Sequence, residues 1–452
     1  MDLERMLTRA REIEKIESER LLERTVGSAR LFERAKRALP LGVASSFQAD
    51  DPYPIYLREG KGSRVWDVDG TEYVDFHNGF GTMAVGHAHP KVREAIKRAA
   101  RTGTHFAVTT ETTVAFAEEL CRRFGLEQVR FTNSGTEATM DAVRIARAAT
   151  GRDTILKIEG SYHGHHDAVM FAVTSNADLM GGRDRPHDAP MSLGIPADTA
   201  RHTLVVSFND AAALGRLFAE RGQEIACLIM EPIMMNIGIC LPEPGYLEAV
   251  RELCTKHGVV LIFDEVKSGA TIAEGGATER LGIQPDLACF AKAIGGGVPT
   301  GAFGGRADIM EVIARGAAQQ GTFNGNPLAA AAGLAALTEV LTKDAYHHFT
   351  SIGNRLADGC RKAISEHALP AHVVDLGCKG CVSYRSEPLR NYRDFLDAHS
   401  ELFAASWPWL LNRGIFMTPG DDEQWTLSVQ HGDRDIDRYL EAFTEFCTAL
   451  TR

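Results

Sequence analysis

The chain has 452 residues, of which 44% are hydrophobic and 24% charged, enough to bury a large core and to form two or three structural units. A formal charge of -11 leaves no basic face for nucleic acid or an anionic membrane, so the expected partners are small molecules and further copies of the chain. Residues 1–25 alternate charges without a signal-type apolar segment, no apolar run is long enough to cross a bilayer, and nine dispersed cysteines suit a reducing compartment. A cytoplasmic protein is expected.

Residues 2–38 space Leu3, Met6, Ile13, Ile16, Leu21, Leu22, Val26 and Leu31 among Glu and Arg, the pattern of one or two amphipathic helices ended by Pro40 and Gly42. They are expected to pack on a partner subunit or a small domain. Residues 53–77 alternate apolar and polar positions around turns at Gly60, Gly62 and Asp69-Gly70, which predicts a small antiparallel sheet. A helix starts at Pro90, and His87 and His89 before it are read as hydrogen-bonding turn residues, because no acid or cysteine is spaced to complete a metal site.

After residue 110 helical segments alternate with strands that are apolar on both faces: VRFTN, TILKIEG, IACLIMEP, VVLIFDEV and DLACFAK. Such strands predict an α/β fold with a mainly parallel sheet between helices, and ligands gather at the carboxyl ends of such sheets. Ser134, Gly135, Tyr162, Glu231, Asp264 and Lys292 all fall at or just past a strand end. Residues 163–200 are rich in Gly, Pro and Asp with little periodicity, as in a lid or binding loop. His163, His165, His166 and Asp167 in it are not expected to converge on a metal, and Cys378 and Cys381 are read as a loop pair. A long helix is predicted from about residue 330, followed by short strands at CVSY and WTLSVQ. Three segments are expected: 1–75 and 326–452 making a smaller α+β domain from both chain ends, and 76–325 making the large ligand-binding domain.

The residues at the strand ends suggest one chemistry. The small-residue turn at Ser134, Gly135 and Thr136, opening a helix, can seat a phosphate dianion on backbone N–H groups and hydroxyls, aided by the helix dipole. Tyr162 offers a ring for stacking, and Val266 can pack on the opposite ring face. Asp264 at a strand end can keep a pyridine nitrogen protonated, and Lys292, between an apolar strand and a glycine-rich loop, can form a Schiff base. Phosphate seat, stacking ring, pyridinium partner and reactive amine together specify pyridoxal 5'-phosphate.

The motifs NSGTEA, YHGHHD, EPIMMN, DEV, FAKAIGGGVPTGAFGG and GTFNGNPLAAAAG, in this order, resemble the class III (subgroup II) aminotransferases of fold type I. Within them WDVDGTEYVDF, GHAHP and DEVKSGATIAEGGATERLGIQPDL are phrased like the glutamate-1-semialdehyde 2,1-aminomutase branch. The resemblance spans about residues 35–445. It implies a homodimer with active sites at its interface, Lys292 as the Schiff-base residue, Asp264 as the pyridinium partner and Tyr162 as the stacking ring beside His163. It further implies Ser134, Gly135 and Thr136 on the phosphate, Thr322 reaching the same phosphate from the neighbouring subunit, and Asn236 near the cofactor's phenolic oxygen. Glu423 matches a catalytic glutamate, and the loop at 163–200 matches a gating loop.

One departure bears on substrate. Where the branch carries an arginine that clamps the substrate carboxylate, this chain has Gln48, close to Ser45, and an amide cannot form a bidentate charged pair. Ala270 and Thr271 likewise stand where an FR pair commonly follows DEVxxG. The expected reaction is therefore amino transfer between an amine, β-amino acid or aryl-substituted amino acid and a 2-oxo acid, with the aminomutase reaction as the alternative. Racemisation, and a catalytically idle binding protein, are further readings; the retention of Lys292, Asp264 and the phosphate turn weighs against the last.

Overall fold

A computed structural model describes residues 3–174 and 176–452. Strands β1 (Leu57–Lys61), β2 (Arg64–Asp67) and β3 (Glu72–Asp75) form an antiparallel meander. The large sheet follows with β4 (Gln128–Thr132) and β5 (Thr154–Ile158). A two-residue hairpin, β6 (Gly181–Gly182) and β7 (Arg185–Pro186), interrupts the 163–200 stretch, in which Ser175 lies outside the described residues. The large sheet then continues with β8 (Thr203–Val206), β9 (Ile225–Met230), β10 (Val260–Asp264), β11 (Leu287–Phe290) and β12 (Gly301–Gly305).

The large sheet has the order β4-β12-β11-β10-β9-β5-β8. Only β12 runs against its neighbours, so the other strands deliver their carboxyl ends to one edge. β5, β9, β10 and β11 are buried at every position, as strands covered by helices on both faces must be. Helix Gly135–Thr150 packs on β9, β11 and β12, burying Ala138, Ala142, Val143, Ile145 and Ala146. Each such fully buried branched side chain contributes about 1.5–3 kcal/mol to holding helix on sheet. β12 reaches the turn at Ser134 because it is glycine-rich: a Cβ at Gly301 would lie 2.5 Å from the Ser134 carbonyl oxygen and from Thr132 Oγ1.

The two chain ends meet. Helix Leu3–Arg24 buries Met6, Ala10 and Ile13 and lies on helix Ser400–Asn412, where Arg24 Nη2 donates to the Leu411 carbonyl at 2.8 Å and Asn412 Nδ2 to Glu17. The N-terminal helix therefore packs on the chain's own C-terminal region. β13 (His372–Asp375) and β14 (Lys379–Ser383) begin a third sheet. β15 (Ile415–Phe416) joins the first sheet parallel to β3, so that sheet is mixed where sequence alternation predicts an antiparallel one. β16 (Trp425–Thr426) completes the third sheet beside β14. The helix predicted from about residue 330 is broken: Pro327–Ala335 widens into a π turn at Ala336–Val340, and a new helix runs Lys343–Glu366. No helix among the described residues is long and apolar enough to cross a membrane.

Candidate active site

A cavity of about 320 Å³ opens at the carboxyl edge of the large sheet. Its wall includes Gly135, Thr136, Tyr162, His163, Asn236, Asp264, Val266, Lys292, Glu423, Ser45 and Gln48, so most of the positions singled out in the sequence converge on one space.

Asp264, the last residue of β10, is buried and held on both oxygens: Oδ1 accepts the Val266 N–H at 3.0 Å and Oδ2 lies 2.8 Å from His163 Nδ1. His163 Nε2 is buried with no protein partner among the described residues, so this imidazole is fixed from the Asp264 side alone. Two residues past β11, Lys292 has φ +48°, a left-handed backbone that is strained for a residue with a Cβ and that recurs where a side chain must be aimed. Its accessible surface faces the cavity. Loss of water around the amine, followed by repulsion from Lys267, pulls its pKa down to about 8.

The turn before helix Gly135–Thr150 is built to receive an anion. Gly135 packs against Val266, whose two γ carbons would be 3.0 and 3.1 Å from a Cβ on the glycine, so the backbone can be approached only because that Cβ is missing. Gly164, at φ +92°, leaves its missing Cβ 2.5 Å from Thr136 Oγ1. Thr136 Oγ1 accepts the His165 N–H at 3.3 Å, which leaves its own O–H to donate toward the cavity. Ser134 does not line the cavity; its Oγ caps the helix by accepting the Glu137 N–H at 3.2 Å, which leaves its own O–H free to donate. Thr322 also stands away from this cavity, exposed in the turn before Pro327.

Tyr162 lies four residues beyond β5, with its ring edge-on to Phe47 at 5.3 Å, and Phe47 contacts Phe80 at 6.0 Å. Glu231, just past β9, accepts the backbone N–H groups of Tyr162 at 3.1 Å and Met235 at 2.8 Å, and burial raises its pKa. Glu423 pairs with Lys267 at 2.7 Å with both side chains nearly enclosed. Burial pushes the Glu423 carboxyl up, but Lys267, Lys292 and Lys379 outweigh it and hold the group below the ordinary glutamate range. His166 in the following loop is driven down to about 3, by burial first and then by His163 and nearby cations, so it is neutral at physiological pH. His87 pairs with Asp75 at 2.6 Å, as a turn residue does.

Two lysines in or just behind the site escape sequence reading. Lys267 lines the cavity although it reads as a charge in a surface turn after DEV; the available signal is its position three residues past a fully buried strand end. Lys379 sits on β14 between buried Cys378 and Cys381, and a lysine flanked by apolar strand positions is the corresponding hint. Arg58 is exposed, and Arg64 is spent on Asp435 at 2.7 Å and Glu72 at 3.1 Å, so neither enters the cavity.

The donor set fits a pyridoxal phosphate. A helix N-terminus with glycine on its approach side could hold the phosphate, a carboxylate locked against His163 could meet the ring nitrogen, and an amine of lowered basicity could bond the aldehyde. Residues 46–402 match the aminotransferase class-III family. The chain is 41% identical over 418 residues, 91% of its length and 95% of the relative's, to a glutamate-1-semialdehyde 2,1-aminomutase of Syntrophobacter fumaroxidans. Among solved structures it is similar to an omega-transaminase from Sphaerobacter thermophilus, with TM-score 0.89, 35% identity and coverage of 94% of this chain and 97% of that one. It is also similar to a glutamate-1-semialdehyde aminomutase from Pseudomonas aeruginosa, with TM-score 0.88, 29% identity and coverage of 98% and 99%. A transaminase with PLP bound shares 35% identity at TM-score 0.85, covering 94% of this chain and 98% of its own.

Proposed function

The chain belongs to the class-III aminotransferases, enzymes that use pyridoxal 5'-phosphate, and from that premise we propose that it moves an amino group within one molecule, converting glutamate-1-semialdehyde to 5-aminolevulinate. The observation that carries the enzymatic reading is the convergence of Lys292, the Asp264–His163 pair and the Gly135–Thr136 helix start on one cavity. The naming of the 41%-identical relative supports the intramolecular form over transfer between two molecules.

When bound, the cofactor supplies an aldehyde that captures the substrate amine and a ring that takes up an electron pair. The chain does the rest. Backbone N–H groups of Gly135 and Thr136, with the Thr136 hydroxyl, would hold the phosphate, and Tyr162 and Val266 in the same wall would pack on the ring. Asp264, oriented by His163 and the Val266 N–H, would meet the ring nitrogen and keep a proton there. Asn236, in the cavity wall, would be the partner of the phenolic oxygen. Lys292, with an amine pKa near 8, is neutral often enough at neutral pH to accept a proton from the substrate carbon and return it at the adjacent position. Glu423 pairs with Lys267 in the cavity wall. Of the 163–200 segment, His163 and Gly164 line the cavity.

The active unit in this reading is a dimer, with Thr322 completing the phosphate seat of its neighbour. Phe323 at 58% exposure, Phe106 at 49% and Val108 at 71% support this, as apolar surface beside Thr322 that a second subunit would cover. Nine free cysteines favour a cytoplasmic setting.

A second reading, transfer from an amine, β-amino acid or aryl-substituted amino acid to a 2-oxo acid, is favoured by the neutral Gln48 in the cavity wall and by the similarity to an omega-transaminase. Purified holoenzyme given glutamate-1-semialdehyde alone should yield 5-aminolevulinate without an added acceptor. Turnover of amines or β-amino acids only when pyruvate or 2-oxoglutarate is supplied would replace the first reading by the second.

A further inference from the structure

The cavity presents two ammonium groups, and only one is accounted for. Among the described residues that line it there is no arginine, and its cations are Lys292, assigned to the cofactor, and Lys267. Lys267 is held in place: its Nζ donates to the Met235 carbonyl at 2.7 Å and to Glu423 Oε1 at 2.7 Å, which leaves one N–H of three without a partner among the described residues.

The charge around it does not balance. Asp264 is committed to His163, and Glu231 to backbone N–H groups, so Glu423 is the carboxylate left to offset the nearby lysines. Lys379 lies one layer behind the same wall. Its Nζ is so close to Gly81 that a Cβ there would be 2.0 Å away, and that turn carries the cavity residues Gly79 and Phe80. Lys379 is 1% exposed, and its one hydrogen-bond partner among the described residues is Thr426 Oγ1 at 2.9 Å. Burial and then Lys267 bring this amine down to about 7, so an arriving anion would favour its protonated form. Glu423 is already shared with Lys267, so any proton that Lys379 holds behind this wall has no carboxylate here to offset it.

We propose that Lys267 is the specificity-determining residue that takes the substrate's carboxylate, sharing it with the neutral donors Gln48 and Ser45, so that the site selects amino and oxo acids over simple amines. This rests on the reading of the cavity as a pyridoxal phosphate site and names the group that replaces an arginine clamp. An ammonium binds a carboxylate as a point charge, so the bound acid can pivot more than in a bidentate grip.

The test uses holoenzyme, whose cofactor absorbance is recorded first, and two unreactive probes, pentanoate and pentanamide, titrated by calorimetry. Pentanoate is expected to bind the native enzyme, to weaken at least about tenfold in Lys267→Met, and to recover in Lys267→Arg, since a charged hydrogen bond of this kind is lost and then regained. Glu423→Gln, which removes the competing carboxylate, should tighten pentanoate several-fold. Pentanamide should change by less than threefold across the series. Equal pentanoate affinity in native and Lys267→Met enzymes, or parallel loss for both probes, overturns the proposal while the cofactor band stays intact. A native protein that shows no cofactor band overturns the reading beneath it instead.

Discussion

The depressed basicity of Lys292 makes a quantitative prediction about capture of the cofactor. A lysine amine that falls from 10.5 to about 8 is neutral in roughly one molecule in ten at pH 7, about 300-fold more often than an unperturbed one. The neutral amine is the form that attacks an aldehyde, so covalent capture of pyridoxal phosphate by cofactor-free enzyme should rise about tenfold per pH unit from 6.5 and level off with a midpoint near 8. The groups that set this midpoint are Lys267, which lowers it, and Glu423, Asp264 and Glu231, which raise it, all secondary to burial. Stopped-flow absorbance across pH 6.5–10, with borohydride trapping of each sample, reads the curve directly. Lys267→Met should move the midpoint upward, because one repelling charge is removed. A midpoint at 10 or above in the native protein would refute the claim that burial prepares this amine.

Three other outcomes follow from the same geometry. Gly164→Ala puts a Cβ 2.7 Å from the Thr136 Cα at a left-handed φ, so it should cost roughly 1–3 kcal/mol of stability and weaken cofactor affinity, both read by thermal melts with and without pyridoxal phosphate. Asp264→Asn keeps the shape but loses the charge that faces the ring nitrogen, and transfer should fall by about 10² or more while cofactor binding persists, checked by single-turnover spectra. Phe323→Asp, at an exposed apolar position beside Thr322, should yield monomers in sedimentation and reduce cofactor affinity in step with dissociation. Dimers that persist in this variant with unchanged affinity would argue that the site is complete in one chain.

Much of the site was legible because its residues sit where strand ends force them. Asp264 ends a strand apolar on both faces and Lys292 follows another, so runs such as VVLIFD announce both the burial of the strand and the edge at which its last polar residue emerges. Gly135 and Thr136 were readable as a helix start, and a helix start is an anion site by its dipole. That Ser134 stands outside the cavity wall and caps the helix through the Glu137 N–H was not legible, because the direction of a short hydroxyl side chain at a helix start is set by local packing. Lys267 and Lys379 were illegible as site residues because a lysine in a turn, or on a short strand, declares its side-chain direction only through tertiary packing. The mixed character of the first sheet was equally hidden, since β15 is two residues long and its pairing with β3 spans most of the chain. The break after Ala335 has no punctuating Gly or Pro in AALTEV to reveal it.

The central claim is that one particular amine among three buried in or near this cavity bonds the cofactor. Borohydride reduction of the purified, cofactor-loaded protein, followed by proteolysis and mass spectrometry, locates that bond. The pyridoxyl group should be found on Lys292, in the peptide that contains FAKAIGGG; its appearance on Lys267 or Lys379, or on no lysine, would contradict the account.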